Sequence, residues 1–244
     1  MNISDNTILI TGGGTGIGLA IVEAFLEKNN KVIICGRRES VLKDVKKKYP
    51  EVEYLVTDLR KPDQVRLLYQ WTVKKFPDVN ILINNAGIQR AFSFNNPESL
   101  EDITEEIEIN ISSPVQLCSL FVKNFISKKE SAIVNVSSGL GFAPLAFMPV
   151  YCATKAALHS FTMSMRHQLK STSVNVIELI PPIVDTDLDQ GRRGKRGEVD
   201  RGIDPEIVAK ALVKGMETDD PEIIVGMAKN LRENGEKAFD NMNR

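Results

Sequence analysis

Short apolar runs alternate with longer amphipathic stretches along most of this 244-residue chain, and this alternation constrains the fold more than any other feature. A strand buried on both faces of a sheet is apolar throughout, whereas a helix packed on that sheet is apolar on one face only. The apolar runs predict strands at Thr7–Ile10, Val32–Ile34, Val52–Val56, Ile81–Ile83, Ile133–Val136, Val174–Ile180 and Ile223–Val225. The amphipathic stretches predict helices at 16–28, 39–48, 62–75, 98–108, 112–127, 151–170 and 204–217.

This order of elements favours one architecture. Alternating strands and helices predict an α/β fold, a Rossmann-like doubly wound parallel sheet of about seven strands with helices on both faces. A chain of this length commonly forms one such domain, so we expect a single domain over residues 1–244. Ligands of these sheets bind beyond the carboxyl ends of the strands, which makes the loops after the strands the candidate sites.

Composition excludes several other classes of protein. The formal net charge of −1 gives no reason to expect a nucleic acid or a membrane as partner. Cys35, Cys118 and Cys152 are odd in number and far apart, which is typical neither of a disulfide framework nor of a thiolate metal site. His159 and His167 have no acidic or thiol cluster nearby, so we expect no metal. Without a signal core or an apolar run of roughly 18 residues, we expect a cytoplasmic protein.

The loop after the first predicted strand is rich in glycine and leads directly into the first predicted helix. Glycines allow backbone N–H groups to approach a pyrophosphate, and the helix N-terminus adds a partial positive charge. The alternative is a merely flexible turn, but the position after the first strand favours phosphate binding. The residues predicted to hold the dinucleotide here are Gly12, Thr15, Gly16, Ile17 and Gly18.

The second and third strands end beside the expected adenosine half of that ligand. Arg37 and Arg38 follow the second strand with no acidic residue before Glu39, and a pair of guanidiniums favours a 2′-phosphate. We therefore predict NADP(H) rather than NAD(H), the alternative being that these arginines are solvated residues at a helix start. Asp58, followed by Leu59, could accept from the adenine amino group, although a loop or N-cap role fits it almost as well.

Polar or small residues also end the fourth and fifth strands. Asn85, Ala86 and Gly87 suit a backbone that passes close to a cofactor, or else form an ordinary turn. Ser138 offers a hydroxyl at the edge of the sheet, or else caps the strand end. Asn110 interrupts an apolar helical pattern, which predicts a kink or a specific hydrogen bond.

Tyr151 and Lys155 lie four residues apart on a predicted helix, so their side chains should leave the same face. An ammonium beside a phenol favours the phenolate and lowers the pKa of the tyrosine from about 10. The pair is therefore a candidate proton donor and acceptor. An ordinary amphipathic surface turn is the alternative.

In their types, order and spacing, these residues resemble the motifs of the short-chain dehydrogenase/reductase family. The likeness covers about residues 7–187, and the runs Val32–Arg37 and Asn84–Gln89 resemble the DltE-like bacterial oxidoreductases in particular. The resemblance implies an NADP(H)-dependent oxidoreductase that interconverts a carbonyl and a secondary alcohol of a small molecule. It also implies a homodimer or homotetramer, assembled through the helix near Asn110 and the helix that carries Tyr151.

The resemblance also implies a role for each residue of the site. Tyr151 would be the general acid and base, while Lys155 would lower its pKa and bind the nicotinamide ribose. Ser138 would hydrogen-bond the substrate oxygen, and Asn110 would hold a water that relays protons from Lys155. After the sixth strand, the residues implied to contact the nicotinamide are Pro181, Val184 and Thr186. Pro182 departs from the family pattern, where glycine is usual, and restricts the backbone there.

Two segments are expected to shape the substrate site. In residues 187–203, a lid in the family, Arg192, Arg193, Lys195 and Arg196 could attract an anionic substrate. The alternative, which the sequence favours, is a solvated and poorly ordered loop. Apolar side chains at Phe142, Leu145, Phe147 and Met148 suggest an apolar substrate portion, or contacts with the lid or a neighbouring subunit. The functional alternatives are a dinucleotide-sensing protein without turnover, an NAD-dependent dehydrogenase, and family chemistry such as dehydration or epimerisation.

Overall fold

The computed structural model describes residues 1–95, 100–189 and 202–243. A sheet of seven parallel strands lies at its centre, in the order β3-β2-β1-β4-β5-β6-β7, which confirms the predicted fold class and places β7 at an edge. The strands are β1 Thr7–Thr11, β2 Lys31–Gly36, β3 Glu53–Val56, β4 Ile81–Asn84, β5 Ser131–Val136, β6 Val174–Ile180 and β7 Glu222–Ile224.

The helices follow the strands in nearly the predicted places. They are α1 Gly16–Leu26, α2 Glu39–Lys48, α3 Pro62–Lys75, α4 Leu100–Ile107, α5 Ser113–Phe125, α6 Pro149–Leu169, α7 Pro205–Glu217, α8 Ala228–Asn234 and α9 Phe239–Met242. Helix α6 begins two residues before the predicted start because Pro149 occupies its first turn, where a missing N–H is no loss. The predicted start of α4, at residue 98, lies outside the described residues.

Alternate side chains of the central strands pack in two separate layers of core. Ile8 and Ile10 of β1 pack in one layer with residues of α1, α2 and α7. Leu9, between them, packs in the other layer with residues of α3, α5 and α6. Successive side chains of a strand point to opposite faces, so a strand that is apolar at every position needs both faces covered. The apolar runs of the sequence are explained by this double burial.

The strand order reverses direction beside β1, which pairs with β2 on one side and with β4 on the other. The crossovers therefore leave in opposite directions on either side of this point, and a crevice opens beyond the carboxyl ends of the strands. The loops that follow β1, β2, β4 and β5 meet at this crevice.

One turn of π-helix, Glu108–Ser112, joins α4 to α5. Asn110 lies within it, with its side-chain amide bonded to the backbone of Ile88. The sequence predicted a kink or a specific hydrogen bond at this asparagine, and the hydrogen bond is present, within a π-helical turn. A wider turn is a common feature of functional positions in helices.

Two short helices, α8 and α9, follow β7, in a part of the chain where the sequence predicted no helix. Helix α8 is seven residues long and α9 only four, too short to be stable by their own propensity. Tertiary contacts hold α8 instead, since Ala228 and Leu231 pack closely against Gly139. Among the described residues, no helix is long and apolar enough to cross a membrane.

Adjacent leucines of α3 offer a matched test of this packing. Leu68 is fully buried, whereas 56% of Leu67 is exposed. We expect Leu68→Ala to lower the free energy of unfolding by about 2 to 5 kcal/mol, because it leaves a cavity in the core. Leu67→Ala should change it by less than about 0.5 kcal/mol. Urea denaturation measures both, and equal losses would contradict the assignment of faces on α3.

Candidate active site

The loop between β1 and α1 is built for close approach by a ligand. Gly12 has a φ of +66°, and a Cβ atom at Gly18 would lie 2.2 Å from the carbonyl oxygen of Gly12. Thr15 precedes α1 in an extended conformation without a side-chain capping bond, and the first turn carries no acidic residue. The N–H groups of that turn therefore face the crevice with the positive end of the helix dipole, which suits an anionic ligand.

A cleft of about 1370 Å³ lies beyond the carboxyl ends of the strands. It is large enough for an extended dinucleotide and a small substrate together, since single ligand pockets measure roughly 300 to 1,000 Å³. The predicted site residues that line it are Gly12, Thr15, Gly16, Ile17, Gly18, Arg37, Arg38, Leu59, Asn85, Ala86, Gly87, Ser138, Tyr151, Lys155, Pro181, Val184 and Thr186.

Thr11 fastens the glycine loop to the end of β4. Its hydroxyl oxygen accepts from the backbone N–H groups of Asn85 and Ala86, both at 3.0 Å. The amide of Asn85 donates in return to the carbonyl oxygens of Thr11, at 3.0 Å, and Gly12, at 3.3 Å. These bonds hold the floor of the cleft on both sides of the strand reversal. The sequence prediction included Asn85 but missed Thr11.

Tyr151 and Lys155 lie side by side on α6, and both are buried. The ammonium nitrogen of Lys155 donates to the carbonyl oxygen of Val136 at 2.8 Å and lies 5.6 Å from the centre of the Tyr151 ring. Burial lowers the pKa of Lys155 to about 8, although the carboxylates of Glu178 and Glu106 act to raise it. The predicted pairing of phenol and amine on one helix face is therefore present.

Ser138 follows β5 in an extended conformation and lines the cleft. Its hydroxyl oxygen accepts from the backbone N–H of Leu140 at 3.1 Å, so the capping role left open by the sequence is present. A hydroxyl that accepts a bond still has its proton to donate. The cap therefore fixes the position of the oxygen and leaves the hydroxyl proton available to another acceptor.

Asn110 lies behind the wall of the cleft rather than in its lining, and its side chain is 1% exposed. Its amide nitrogen donates to the carbonyl of Ile88 at 2.8 Å and to the hydroxyl of Thr154 at 3.2 Å, while its oxygen accepts from the N–H of Ile88. Its oxygen would lie 3.4 Å from a Cβ atom at Gly87. Asn110 thus holds the chain after β4 against α6, and the proton relay predicted for it stays a prediction.

Sequence reasoning missed a buried acidic group next to these residues. Glu178 on β6 is fully buried, and its carboxylate accepts from the hydroxyl of Ser137 at 2.5 Å. Its other oxygen lies 2.7 Å from Nδ1 of His159, which follows Lys155 by one turn of α6. Two features of the sequence could have revealed this group. One is a glutamate within an otherwise apolar strand, and the other is the four-residue spacing of Tyr151, Lys155 and His159.

The expectation that no acidic group lies near the histidines is therefore wrong, because β6 and β7 bring distant residues beside α6. One ligand atom from each of His159, Glu178 and Glu222 lies within 4.8 Å of the others. Glu222, however, already pairs with Arg232, whose Nε is 3.3 Å from its carboxylate. A guanidinium at this distance opposes a bound cation, and the absence of a metal stays a prediction.

Arg37 and Arg38, predicted as equivalent, differ in their surroundings. Arg38 is exposed at the cleft and forms no ion pair with the described residues, whereas Arg37 lies 2.5 Å from the carboxylate of Glu105. Asp58 does not line the cleft, and its carboxylate accepts from Nε and Nη2 of Arg60 at 2.8 and 2.6 Å. A contact from Asp58 to adenine stays a prediction, and its carboxylate already has a partner.

At the other end of the cleft, Leu145, Phe147 and Met148 form part of the wall as predicted. Phe142 does not, since its ring packs edge-on against His159 with centroids 4.6 Å apart. The segment predicted as a lid is closed at its base by Val184, which pairs with Ile203. The basic residues expected to attract substrate, Arg192, Arg193, Lys195 and Arg196, lie outside the described residues. Pro182 and Ile183 line the cleft between Pro181 and Val184.

The model of the short chain dehydrogenase family matches residues 6–197, and the chain belongs to this family of oxidoreductases. Over its whole length the chain is 44% identical to the uncharacterized oxidoreductase DltE of Bacillus subtilis strain 168, with 98% of that relative covered. The predicted membership of the family and the likeness to DltE-like oxidoreductases are both confirmed.

Two solved structures show the same fold. A short chain dehydrogenase from Burkholderia cenocepacia, in complex with NADP, is 27% identical, with a TM-score of 0.83 over 96% of this chain and 94% of that one. A family member from Burkholderia phymatum, in complex with NAD, is 20% identical, with a TM-score of 0.87 over 100% of this chain and 97% of that one. The fold is thus shared by proteins that bind either dinucleotide.

The burial of Lys155 makes the stability of the protein depend on pH in a particular direction. Its pKa is lower in the folded protein, about 8, than the ordinary 10.5, so the unfolded chain binds more protons between these values. Stability rises with pH wherever the unfolded state binds more protons. We expect the unfolding free energy of the wild type, relative to Lys155→Met, to rise by up to about 3 kcal/mol between pH 8 and pH 10.5.

Chemical denaturation at a series of pH values measures this difference. Lys170→Met, at the exposed end of the same helix, is the control for losing a lysine at an exposed position. A difference between wild type and Lys155→Met that stays constant over this range would show that the amine of Lys155 is not held away from water.

Proposed function

We propose that the protein is an NADP(H)-dependent oxidoreductase that interconverts a carbonyl and a secondary alcohol on a small molecule. One observation carries the proposal: Ser138 after β5, together with Tyr151 and Lys155 of α6, lines the same cleft as the glycine loop after β1. A proton donor, a hydrogen-bond donor and a buried cation thus share one space with an anion-binding helix end. Such a set meets the needs of hydride transfer to a carbonyl.

The cleft fits a nicotinamide dinucleotide. Glycine at 12 and 18 lets the loop pack tightly against its own backbone and the chain after β4, and the N-terminus of α1 offers N–H groups to the pyrophosphate. On this proposal the adenosine half lies toward Arg38 and Leu59, and the nicotinamide half lies toward Lys155. The further residues that would hold the nicotinamide are Pro181, Val184 and Thr186.

The chain's own residues would handle the proton while the bound nicotinamide supplies or accepts the hydride. In reduction, the Tyr151 hydroxyl gives its proton to the carbonyl oxygen, and in oxidation it takes that proton back. The Lys155 ammonium beside the ring stabilises the phenolate that remains. The Ser138 hydroxyl donates to the substrate oxygen, where negative charge develops. Asn110 completes the set by positioning the chain after β4 and by relaying protons from Lys155.

The preference for NADP(H) rests on charge at the adenosine end of the cleft. Arg38 lines the cleft and forms no ion pair with the described residues, so its guanidinium can bind a 2′-phosphate. The related structures bind NADP in one case and NAD in the other, so the preference follows from this arginine and not from the likeness.

The cytoplasmic homodimer or homotetramer expected from the sequence belongs to the proposal as well. Helices α5 and α6 carry partly exposed apolar side chains that suit a contact between subunits, among them Leu120, Phe161 and Met163.

Removal of one hydroxyl tests the proposed chemistry. We expect Tyr151→Phe to reduce carbonyl reduction to below about a hundredth of the wild-type rate, because general acid catalysis commonly contributes 10²- to 10⁴-fold. The affinity for NADPH should change by less than about threefold, since phosphate contacts are untouched. Activity on a panel of ketones and aldehydes, with NADPH binding followed by fluorescence, measures both.

Tyr69→Phe removes a phenol hydroxyl from the core beside Phe121 and serves as the matched control. Full activity of Tyr151→Phe would contradict the proposed role. Dinucleotide binding without turnover of any carbonyl or alcohol by the wild type would instead favour the dinucleotide-sensing alternative.

A second substitution tests the cofactor preference. We expect Arg38→Ala to weaken NADPH binding by about tenfold or more, because hydrogen bonds to charged groups contribute about 1.5 to 3 kcal/mol. NADH binding should weaken less than about threefold, since that ligand lacks the 2′-phosphate. Arg66→Ala, an exposed arginine on α3 outside the cleft, is the control. If both dinucleotides weaken equally, Arg38 does not recognise the phosphate.

A further inference from the structure

Three arginines from three different loops meet at one carboxylate beside the adenosine end of the cleft. Glu105 of α4 accepts from Nη1 of Arg37, after β2, at 2.5 Å, and from Nη1 of Arg60, after β3, at 3.1 Å. Its second oxygen pairs with Nη2 of Arg90, after β4. The carboxylate therefore joins the loops that follow β2, β3 and β4, on both sides of β1.

The cluster is electrically balanced among the described residues before any ligand enters. Asp58 pairs with Arg60, and Asp102 lies 3.3 Å from Nε of Arg90, so three carboxylates face three guanidiniums. Burial opposes the ionisation of Glu105, but hydrogen bonds from Arg90 and Arg37 outweigh it and lower the pKa of this carboxyl. Glu105 is thus charged at neutral pH and cancels the charge of Arg37.

Arg37 is the member of this cluster that a ligand can reach. Its side chain lines the cleft and is 42% exposed, whereas the side chain of Glu105 is only 15% exposed and does not line the cleft. Glu105 occupies Nη1 of Arg37, so a phosphate that binds both Nη atoms has to displace the carboxylate from that nitrogen. A phosphate that binds Arg37 from any other side is repelled by the nearby negative charge of Glu105. Arg60 and Arg90 remain as partners for the displaced carboxylate, so the exchange leaves it paired.

We propose that Glu105 sets the cofactor preference, by competing with the 2′-phosphate of NADP(H) for Arg37. The inference rests on the proposed dinucleotide site and adds to it a specificity-determining residue outside the cleft. Arg38 provides the permanent attraction for the phosphate, and Arg37 contributes only to the extent that Glu105 is displaced. Discrimination between NADP(H) and NAD(H) is therefore weaker in this protein than two unpaired arginines would give.

A purely structural role for Glu105 makes different predictions. If the carboxylate only fastened α4 to the loops, its loss would lower stability and would affect both dinucleotides alike. If it competes with phosphate, its neutralisation strengthens binding of NADP⁺ and leaves NAD⁺ nearly unchanged. The ratio of the two dissociation constants separates these roles, because general damage to the site cancels in the ratio.

Glu105→Gln removes the charge and keeps the size of the side chain. We expect the preference for NADP⁺ over NAD⁺, measured by isothermal titration calorimetry, to increase about tenfold, a change of about 1.4 kcal/mol. Glu101→Gln is the matched control, since Glu101 is exposed one turn earlier on α4 and forms no ion pair with the described residues. An unchanged ratio in Glu105→Gln overturns the proposal.

A double-mutant cycle shows whether Glu105 acts through Arg37. In an Arg37→Ala background, Glu105→Gln should no longer change the ratio, because the guanidinium for which Glu105 and the phosphate compete has been removed. A gain that persists in this background would show a general field effect and would overturn the proposed competition. Should Glu105→Gln fail to fold, Glu105→Asp retains the charge but withdraws it by one methylene, and the ratio should still rise.

The failure of this proposal and that of the proposed function are distinguishable. The ratio of the dissociation constants for NAD⁺ and NADP⁺ in the wild type tests the proposed preference for NADP(H). The change caused by Glu105→Gln tests the competition at Arg37, and it is measurable even in an enzyme that prefers NAD⁺.

Discussion

Coverage of both faces of the sheet is the constraint on which the rest of the structure depends. The central strands, which are buried on both faces, leave polar groups few places to gather other than the edge where the parallel strands end. The glycine loop, the two arginines, Ser138 and the chain near Asn85 all lie at that edge because each follows a strand. The site is thus a consequence of the layering, and α6 adds Tyr151 and Lys155 from the side.

Buried polar side chains inside this framework hydrogen-bond to neighbouring protein groups. The ammonium of Lys155 donates to the carbonyl oxygen of Val136, and the fully buried carboxylate of Glu178 contacts Ser137 and His159. A buried charge is costly unless other groups hydrogen-bond to it. Ser137 is next to Ser138, and Lys155 and His159 share a face of α6, so the same bonds that satisfy these charges also fix the backbone beside the cleft.

The fold and most of the residues of the cleft could be predicted from the sequence, because both depend on local sequence patterns. Strand burial, helix periodicity, the glycine spacing after β1 and the Tyr151–Lys155 interval can each be recognised within a few residues of chain. Pairings between distant residues could not be recognised in this way. Glu105 lies 68 residues from Arg37, and Glu178 lies 19 residues from His159. The local sequence does not indicate whether a glutamate pairs with a particular distant arginine or is solvated. Helices α8 and α9 were not predicted either, because helices of seven and four residues depend on packing rather than on helix propensity.

The pairing of Val184 with Ile203 bears on how this protein can change over evolution. Backbone bonds join Asp185 to Ile203 and Ile203 to Ile183, so the chain that leaves β6 is closed before α7 begins. These bonds join the end of β6 to the start of α7 whatever the length of the chain between them. On the proposed function, the substrate range can therefore change between these positions while Ser138, Tyr151 and Lys155 keep their places.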